Sequence, residues 1–183
     1  MSSKLRTLVV AGIGLSLVAL VGCSPSGSDY KSAAEDLIEG DIEELAGLGD
    51  LSATCDDPSG DPKVGDTFNC TATTTGGATI KFVATVAEDD KVNVESTNLI
   101  TPEALAAIEK TAVGALEQET GLTLGAENFS CGDASVVIDV ATEYLMCALT
   151  DPATGDVYDA QIDIPSLDDV TNLTVQVADQ PRG

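Results

Sequence analysis

Residues 51–74 read LSATCDDPSGDPKVGDTFNCTATT, and this stretch decides the fold. Cys55 and Cys70 enclose a segment rich in Asp, Pro and Gly, with fourteen residues between them. Around the second cysteine, Phe68, Cys70 and Ala72 alternate with polar residues, which is the pattern of a strand with one buried face. The stretch therefore predicts a small antiparallel sheet strengthened by a cysteine cross-link.

The same arrangement recurs further along the chain. Cys131 lies 76 residues after Cys55, and Cys147 lies 77 residues after Cys70. The pair Asp89–Asp90 also returns, 79 residues later, as Asp168–Asp169. Self-similarity at a nearly fixed interval is the mark of a duplicated structural unit. We therefore expect two tandem units of about 75 residues, over residues 29–98 and 101–179.

These four of the chain's five cysteines allow three disulfide pairings in principle. The short spacing within each half favours Cys55 with Cys70 and Cys131 with Cys147. The chain contains no C-x-x-C motif, which argues against a thioredoxin-like redox site or a zinc ribbon. A disulfide that closes a loop of this length adds about 3 kcal/mol to a small core. We interpret all four cysteines as structural.

Each cysteine pair follows a segment with helical periodicity. Within residues 29–49 the apolar stripe comprises Ala34, Leu37, Ile38, Ile42, Leu45 and Leu48. Its start is predicted at Ser28 or at Ser32, and Gly40 weakens its middle. The second helix has firmer limits, since Thr101 is a good N-cap, Pro102 suits the first helical position and Gly121 suits the end.

Alternating segments follow each helix, interrupted by the turn residues Gly76–Gly77 and Thr154–Asp156. Each unit thus comprises one helix followed by about four antiparallel strands, with the helix covering one face of the sheet. The predicted fold class is α+β, with one disulfide in each of the two units.

The N-terminus has the features of an export signal. Lys4 and Arg6 precede an uncharged stretch that is too short for a spanning helix. It ends Leu20-Val21-Gly22-Cys23, which resembles the bacterial lipobox. The resemblance implies that residues 1–22 form a cleaved signal peptide and that Cys23 carries the lipid. Residues 23–28 then form a lipidated, flexible tether, and the protein lies on the extracytoplasmic face of the cell membrane.

The charge is strongly acidic, with 31 Asp and Glu against 8 Lys and Arg. Loss of Lys4 and Arg6 with the signal leaves 6 basic residues and a net charge of −25. Such a surface repels nucleic acid and anionic lipid headgroups. It would attract cationic peptides, a basic protein partner or divalent ions, but we interpret it chiefly as keeping an exported protein soluble and away from the anionic envelope. Histidine is absent, which excludes a Ser-His-Asp triad and any His-ligated metal.

Cys55, followed by Gly65-Asp66-Thr67-Phe68-Asn69-Cys70 and alternating strands, resembles a small two-cysteine domain of unknown function. That domain occurs in actinobacterial lipoproteins and secreted proteins. The resemblance covers residues 29–98, and residues 101–179 match it more loosely, since the segment 141–147 before the last cysteine lacks the glycine. It implies a cell-envelope location and a cysteine cross-link, with no activity to transfer.

The sequence contains two kinds of candidate site, acidic loops that could bind calcium and carboxylates on the first helix. The acidic loops 56–61 and 151–156 contain calcium-type oxygen ligands, but they are better interpreted as turns. The helical carboxylates Glu35, Asp36, Glu39, Glu43 and Glu44 are interpreted as a solvated face. If that face contacts a partner, neutralising Glu35, Glu39 and Glu43 should weaken binding without unfolding the chain.

We therefore expect a non-catalytic binding or interaction module of the envelope, with no cofactor and no metal. A carrier of lipids or small molecules is the alternative, and a carboxylate-dependent enzyme is the less favoured third class. An exposed apolar patch favours the binding module, an enclosed apolar cavity the carrier, and a buried carboxylate pair the enzyme.

Overall fold

The computed structural model has an α+β fold with antiparallel sheets, as predicted. It describes residues 16–20, 26–58, 60–139, 143–167, 170 and 172–182. The chain divides into two compact units, Met1–Thr97 and Asn98–Gly183. The predicted lipidation site Cys23 and the aspartate pair at 168–169 lie outside the described residues.

The first unit contains a five-stranded antiparallel sheet. Its strands are β1 (Ser16–Leu20), β2 (Leu51–Cys55), β3 (Thr67–Thr74), β4 (Thr79–Ala87) and β5 (Lys91–Ser96). The spatial order is β1-β5-β4-β3-β2, so that β1 and β2 form the two edges. The predicted alternation is confirmed, because Phe68, Cys70 and Ala72 are buried between exposed neighbours. Asp89 and Asp90 lie in the β4–β5 turn, both with positive φ.

One helical segment packs on this sheet. It comprises α1 (Gly27–Leu37), a π-helical turn (Ile38–Ile42) and α2 (Glu43–Ala46). The start differs from both predicted positions, since Ser26 is the N-cap and its backbone N–H donates to the Asp29 carboxylate at 2.7 Å. Backbone and hydroxyl donation from Ser26 lowers the pKa of Asp29. Gly27 and Ser28, which were assigned to the tether, lie in the first turn of α1.

The π-helical turn falls at Gly40 and changes which residues are buried. Ala34, Leu37, Ile38 and Ile42 are buried as predicted, but Leu45 is 52% exposed and Ala46 takes its place. A spacing of four residues drifts by about 40° around an α-helix, because one turn takes about 3.6 residues. The wider π turn removes part of this drift, so Ile38, Ile42 and Ala46 stay on one line. The prediction that Leu45 is buried is therefore wrong.

The same four-residue spacing aligns three glutamates with the edge strand β2. Glu35 accepts a hydrogen bond from the backbone N–H of Cys55 at 2.9 Å. Glu39 accepts one from Ala53 at 2.8 Å, and Glu43 accepts one from Leu51 at 2.8 Å. These are alternate residues of β2, whose N–H groups point away from β3. The free edge of β2 is thus closed by carboxylates from the helix.

The geometry of this closure follows from two repeat lengths. Four helical residues rise about 6 Å, and two strand residues extend about 6.6 Å. Carboxylates at every fourth helical position can therefore reach every second N–H of a strand that runs alongside. The expectation of a wholly solvated acidic face is wrong for Glu35, Glu39 and Glu43, although Glu39 is exposed.

The second unit is built around α3 (Pro102–Thr120). Its four-stranded sheet contains β7 (Phe129–Ser130), β9 (Leu145–Thr150), β10 (Val157–Asp163) and β11 (Thr174–Pro181), in the order β11-β10-β9-β7. A two-stranded sheet pairs β6 (Leu99–Ile100) with β8 (Val136–Val137). Strands β6 and β11 extend beyond the predicted limits of residues 101–179.

The limits of α3 are confirmed. The Thr101 hydroxyl accepts a hydrogen bond from the Ala104 N–H at 3.3 Å, and Gly121 ends the helix with a φ of 71°. The buried stripe of α3 comprises Leu105, Ile108, Ala112 and Leu116. Among the helices of the described segments, none combines the length and hydropathy of a membrane span.

We predict that replacing Glu35, Glu39 and Glu43 together by Ala destabilises the chain by about 2–4 kcal/mol. Each change leaves a backbone N–H of β2 without its charged acceptor, and such bonds are worth about 1 kcal/mol here because they are partly solvated. Chemical unfolding followed by circular dichroism measures the loss, since the chain has no Trp.

The matched control replaces the exposed carboxylates Asp36, Asp41 and Glu44 by Ala, which removes the same charge from the same helical segment. This control should change the free energy of unfolding by less than about 1 kcal/mol. The corresponding Gln variants at 35, 39 and 43 keep an acceptor oxygen and should retain most of the stability. Equal losses in both Ala triples would refute a specific role for the edge contacts.

Candidate functional site

The first pair of predicted site residues lies at the edge of the first sheet. Cys55 on β2 and Cys70 on β3 are directly opposite each other and form a disulfide, with Cα atoms 4.0 Å apart. Both cysteines are buried. The pair belongs to the non-hydrogen-bonded type, because the Cys55 N–H points outward to Glu35. Side chains approach most closely at such positions, which suits a cross-link between neighbouring strands.

The second pair repeats this arrangement. Cys131 follows β7 directly and forms a disulfide with Cys147 on β9, with Cα atoms 4.1 Å apart. The Cys131 N–H donates to Glu109 on α3 at 2.6 Å. In both units, therefore, a helical glutamate accepts the N–H of the first cysteine. Both predicted pairings are confirmed.

The remaining carboxylates do not form a catalytic or metal site within the described segments. No described Asp or Glu side chain is buried, and no described group of three or more Cys, Asp or Glu could hold a metal ion. In the loop after β9, the Asp151 carboxylate accepts the Ala153 N–H at 2.7 Å, and the Asp151 N–H donates to the Asp156 carbonyl. Asp151 thus organises a turn.

An apolar groove lies in the second unit and was not predicted. One wall comes from the C-terminal end of α3 and the segment after it, where Leu116, Leu122 and Leu124 lie. The other wall comes from the sheet, with Leu149 on β9, Tyr158 on β10 and Val177 and Ala178 on β11, and from Pro152 in the loop after β9. Leu122 is 56% exposed at the rim. The groove has a volume of about 230 Å³.

Hydrogen bonds fix the wall that follows α3. Glu117 accepts the Leu124 N–H at 2.8 Å, which holds Leu124 against the unit. The Thr120 hydroxyl donates to the Leu116 carbonyl at 2.7 Å and accepts the Leu122 N–H at 3.2 Å. The exposed Leu122 therefore belongs to a backbone segment with defined contacts.

The sheet wall contains a bulge at the groove. Tyr158 pairs with Pro181 while Ala160 pairs with Val177, so β11 carries two extra residues over this interval. Bulges bend a strand and redirect its side chains, and they are common beside functional sites. Beyond the bulge, the Arg182 backbone N–H donates to the Val157 carbonyl at 2.7 Å. Its guanidinium group donates to the Asp159 carboxylate at 2.6 Å and to the Cys147 carbonyl at 3.3 Å.

The chemistry of the groove suits apolar side chains in an acidic setting. Its lining is almost wholly apolar, with Asp151 and Thr120 as the polar members. Pockets that enclose small-molecule ligands have volumes of about 300–1,000 Å³. The groove is smaller than that range and open at Leu122, so it suits one or two side chains of a larger partner.

Comparisons of the chain with protein-family models, with curated proteins and with solved structures find no match.

We predict that digestion with a protease specific for acidic residues, under non-reducing conditions, yields one Cys55–Cys70 peptide and one Cys131–Cys147 peptide. A Cys55→Ala variant should expose one additional free thiol, at Cys70. The double variant Cys55→Ala with Cys70→Ala should lose about 3 kcal/mol of stability, since it no longer restricts the unfolded chain. Any peptide that joins residues 55–70 to residues 131–147 would overturn the pairing.

Proposed function

We propose that this chain is an acidic lipoprotein of the extracytoplasmic membrane face that acts as a non-catalytic binding module for a basic protein partner. The sequence at Leu20–Cys23 supports the anchor. The open apolar groove at Leu122 supports the binding function, and it is the observation on which the proposal depends. An apolar surface that a domain leaves open to solvent is a feature of interaction sites.

The chemistry of the surroundings supports a basic partner. Residues 101–179 contain 15 acidic residues and one basic residue. Apolar contacts in the groove supply affinity, while the acidic surface attracts a cationic partner and speeds its association. The partner is therefore a protein segment with one or two exposed apolar side chains and basic neighbours.

Two structural observations argue against the alternatives, which are a lipid carrier and a carboxylate-dependent enzyme. A lipid carrier needs an enclosed cavity, whereas about 230 Å³ open at its rim would leave most of an acyl lipid in water. An enzyme based on carboxylates needs a pair in a shielded environment, and the described carboxylates are all at least partly exposed. The binding module is thus favoured.

The two units are proposed to be copies of one structural unit. The matching offsets between the cysteines carry this proposal, and so does the repeated contact between a helical glutamate and the first cysteine's N–H, which is made by Glu35 and by Glu109. This contact is independent of the sequence offsets. It also supplies a structural feature by which the proposed relationship with the two-cysteine domain of actinobacterial lipoproteins can be judged.

The proposed anchor leaves little distance between the lipid and the first unit. Ser26 caps α1, so only Ser24 and Pro25 separate it from Cys23. Three residue steps extend at most about 11 Å. The first unit is therefore proposed to lie close to the membrane.

We predict that Cys23→Ala abolishes lipid modification. Two or three acyl chains anchor a protein stably, so the wild-type chain should enter the detergent phase in a Triton X-114 partition while the variant remains in the aqueous phase. Metabolic labelling with an alkyne fatty acid provides the second readout. Recovery of both proteins in the aqueous phase would contradict the proposed anchor.

We predict that Leu122→Asp weakens partner binding at least about tenfold, because it places a charge at the rim of the groove. Val64→Asp is the matched control, since Val64 is 62% exposed and lies in the first unit. A photo-crosslinking amino acid at position 122, in cells, should yield an adduct with a discrete protein that the same amino acid at position 64 does not.

The mass of the adduct distinguishes the alternatives. A protein-sized increase supports the binding module, and capture should fall as salt rises from about 50 to about 500 mM if the partner is basic. A lipid-sized increase would favour the carrier. Equal labelling at positions 64 and 122 would remove the groove from the proposed function.

A further inference from the structure

The two edge strands of the first sheet have different hydrogen-bond partners. At the β2 edge, the outward N–H groups of Leu51, Ala53 and Cys55 are bound by helical glutamates. At the other edge, β5 pairs with β1 over all five residues of Ser16–Leu20. Those five residues belong to the proposed signal peptide. Processing before Cys23 would therefore leave β5 as an uncovered edge, whereas the β2 edge remains closed.

We propose that, in the processed protein, β5 of a second copy of this chain occupies the place of β1 and forms an antiparallel dimer. The proposal goes beyond the binding function and rests only on the proposed cleavage. An open strand edge carries unpaired backbone groups and pairs readily with another strand. The joined sheet would contain four strands from each copy.

The sequence of β5 is complementary to itself. It reads Lys91-Val92-Asn93-Val94-Glu95, and an antiparallel pair centred on Asn93 aligns each Lys91 with Glu95 of the second copy. Oppositely charged residues directly across an antiparallel pair stabilise it. Val92 and Val94 are buried, while Lys91 and Asn93 are partly exposed and Glu95 is exposed. The two faces of the strand therefore match their counterparts in the second copy.

The register of β1 supports the same centre. Val18 pairs with Asn93, Leu17 with Val94 and Ala19 with Val92. A second β5 centred on Asn93 thus fills the same five positions, with each of its two valines opposite a valine of the first copy. The edge already accepts a strand of this length and direction.

The test uses the processed chain from residue 23 with Cys23→Ser, studied by sedimentation equilibrium over a concentration series. This chain should show a reversible monomer–dimer equilibrium. Lys91→Glu sets two carboxylates opposite each other across the pair, and Glu95→Lys sets two ammonium groups opposite each other. Each variant alone should raise the dissociation constant about tenfold, because two attractive pairs become repulsive.

Mixing the two variants provides the decisive measurement. Their charges are complementary, so an equimolar mixture should form a heterodimer at concentrations where each variant alone is monomeric. The double variant with both changes should dimerise like the unchanged chain. Circular dichroism of each variant checks that the unit remains folded, since Lys91 also contacts Asp89 at 3.6 Å within one chain.

A monomeric processed chain at all concentrations would overturn the proposal, as would dimerisation that is unaffected by both charge changes. Intact mass and N-terminal sequencing of the cellular protein test the cleavage separately. If the cleaved protein is a monomer, the dimer proposal fails but the proposal of an anchored binding module is unaffected. If the groove has no partner, the binding proposal fails but the dimer proposal is unaffected.

Discussion

Three hydrogen bonds from Glu35, Glu39 and Glu43 to the outer edge of β2 are the contacts on which the first unit depends. An edge strand needs acceptors for its outward N–H groups, because unpaired backbone groups attract other strands. Here the helix supplies them from three glutamates, each of which directly follows a buried residue of the stripe Ala34, Ile38 and Ile42. The same contacts place Cys55 opposite Cys70 with its N–H turned away from β3, which is the pairing that brings the two sulfur atoms together. The same hydrogen bonds thus cover the sheet edge, orient the helix and position the disulfide.

This constraint also explains the π-helical turn at Ile38–Ile42. In a regular α-helix, glutamates at positions 35, 39 and 43 would spread around the axis by about 80° over their two intervals. The wider turn reduces that spread and keeps both the carboxylates and the apolar residues Ile38, Ile42 and Ala46 aligned along the strand. Gly40 lies within the turn, where its low helix propensity does least harm. The second unit makes a shorter version of the contact, in which Glu109 alone binds the N–H of the first cysteine.

Local signals in the sequence predicted most of the elements. The α3 limits follow from Thr101, Pro102 and Gly121, each of which acts within a few residues of its position, and both disulfides follow from short spacings. The features that were missed depend on residues far apart in the chain. Glu35 binds Cys55 twenty positions away, and nothing in residues 29–49 shows that an edge strand lies beside them. Leu45 was misassigned because a single π turn shifts the buried face. The groove combines α3, three strands and a bulge in β11, so only the fold brings Leu122, Leu149 and Val177 together.

The charged and the apolar residues of this protein therefore have different physical effects. Part of the acid is structural, since glutamates on both helices hold backbone N–H groups, so a count of carboxylates overstates the surface available for recognition. The remaining carboxylates keep the domain soluble and repel anionic headgroups over about a Debye length. Under the proposed binding function, specific contact comes from the few apolar positions left open among the described residues, since exposed charges alone contribute little affinity in salt. Leu122 is such a position, held on a segment that Glu117 and Thr120 fix in place. Under the proposed binding function, an apolar rim within an acidic surface would select for a partner that offers both an apolar side chain and positive charge.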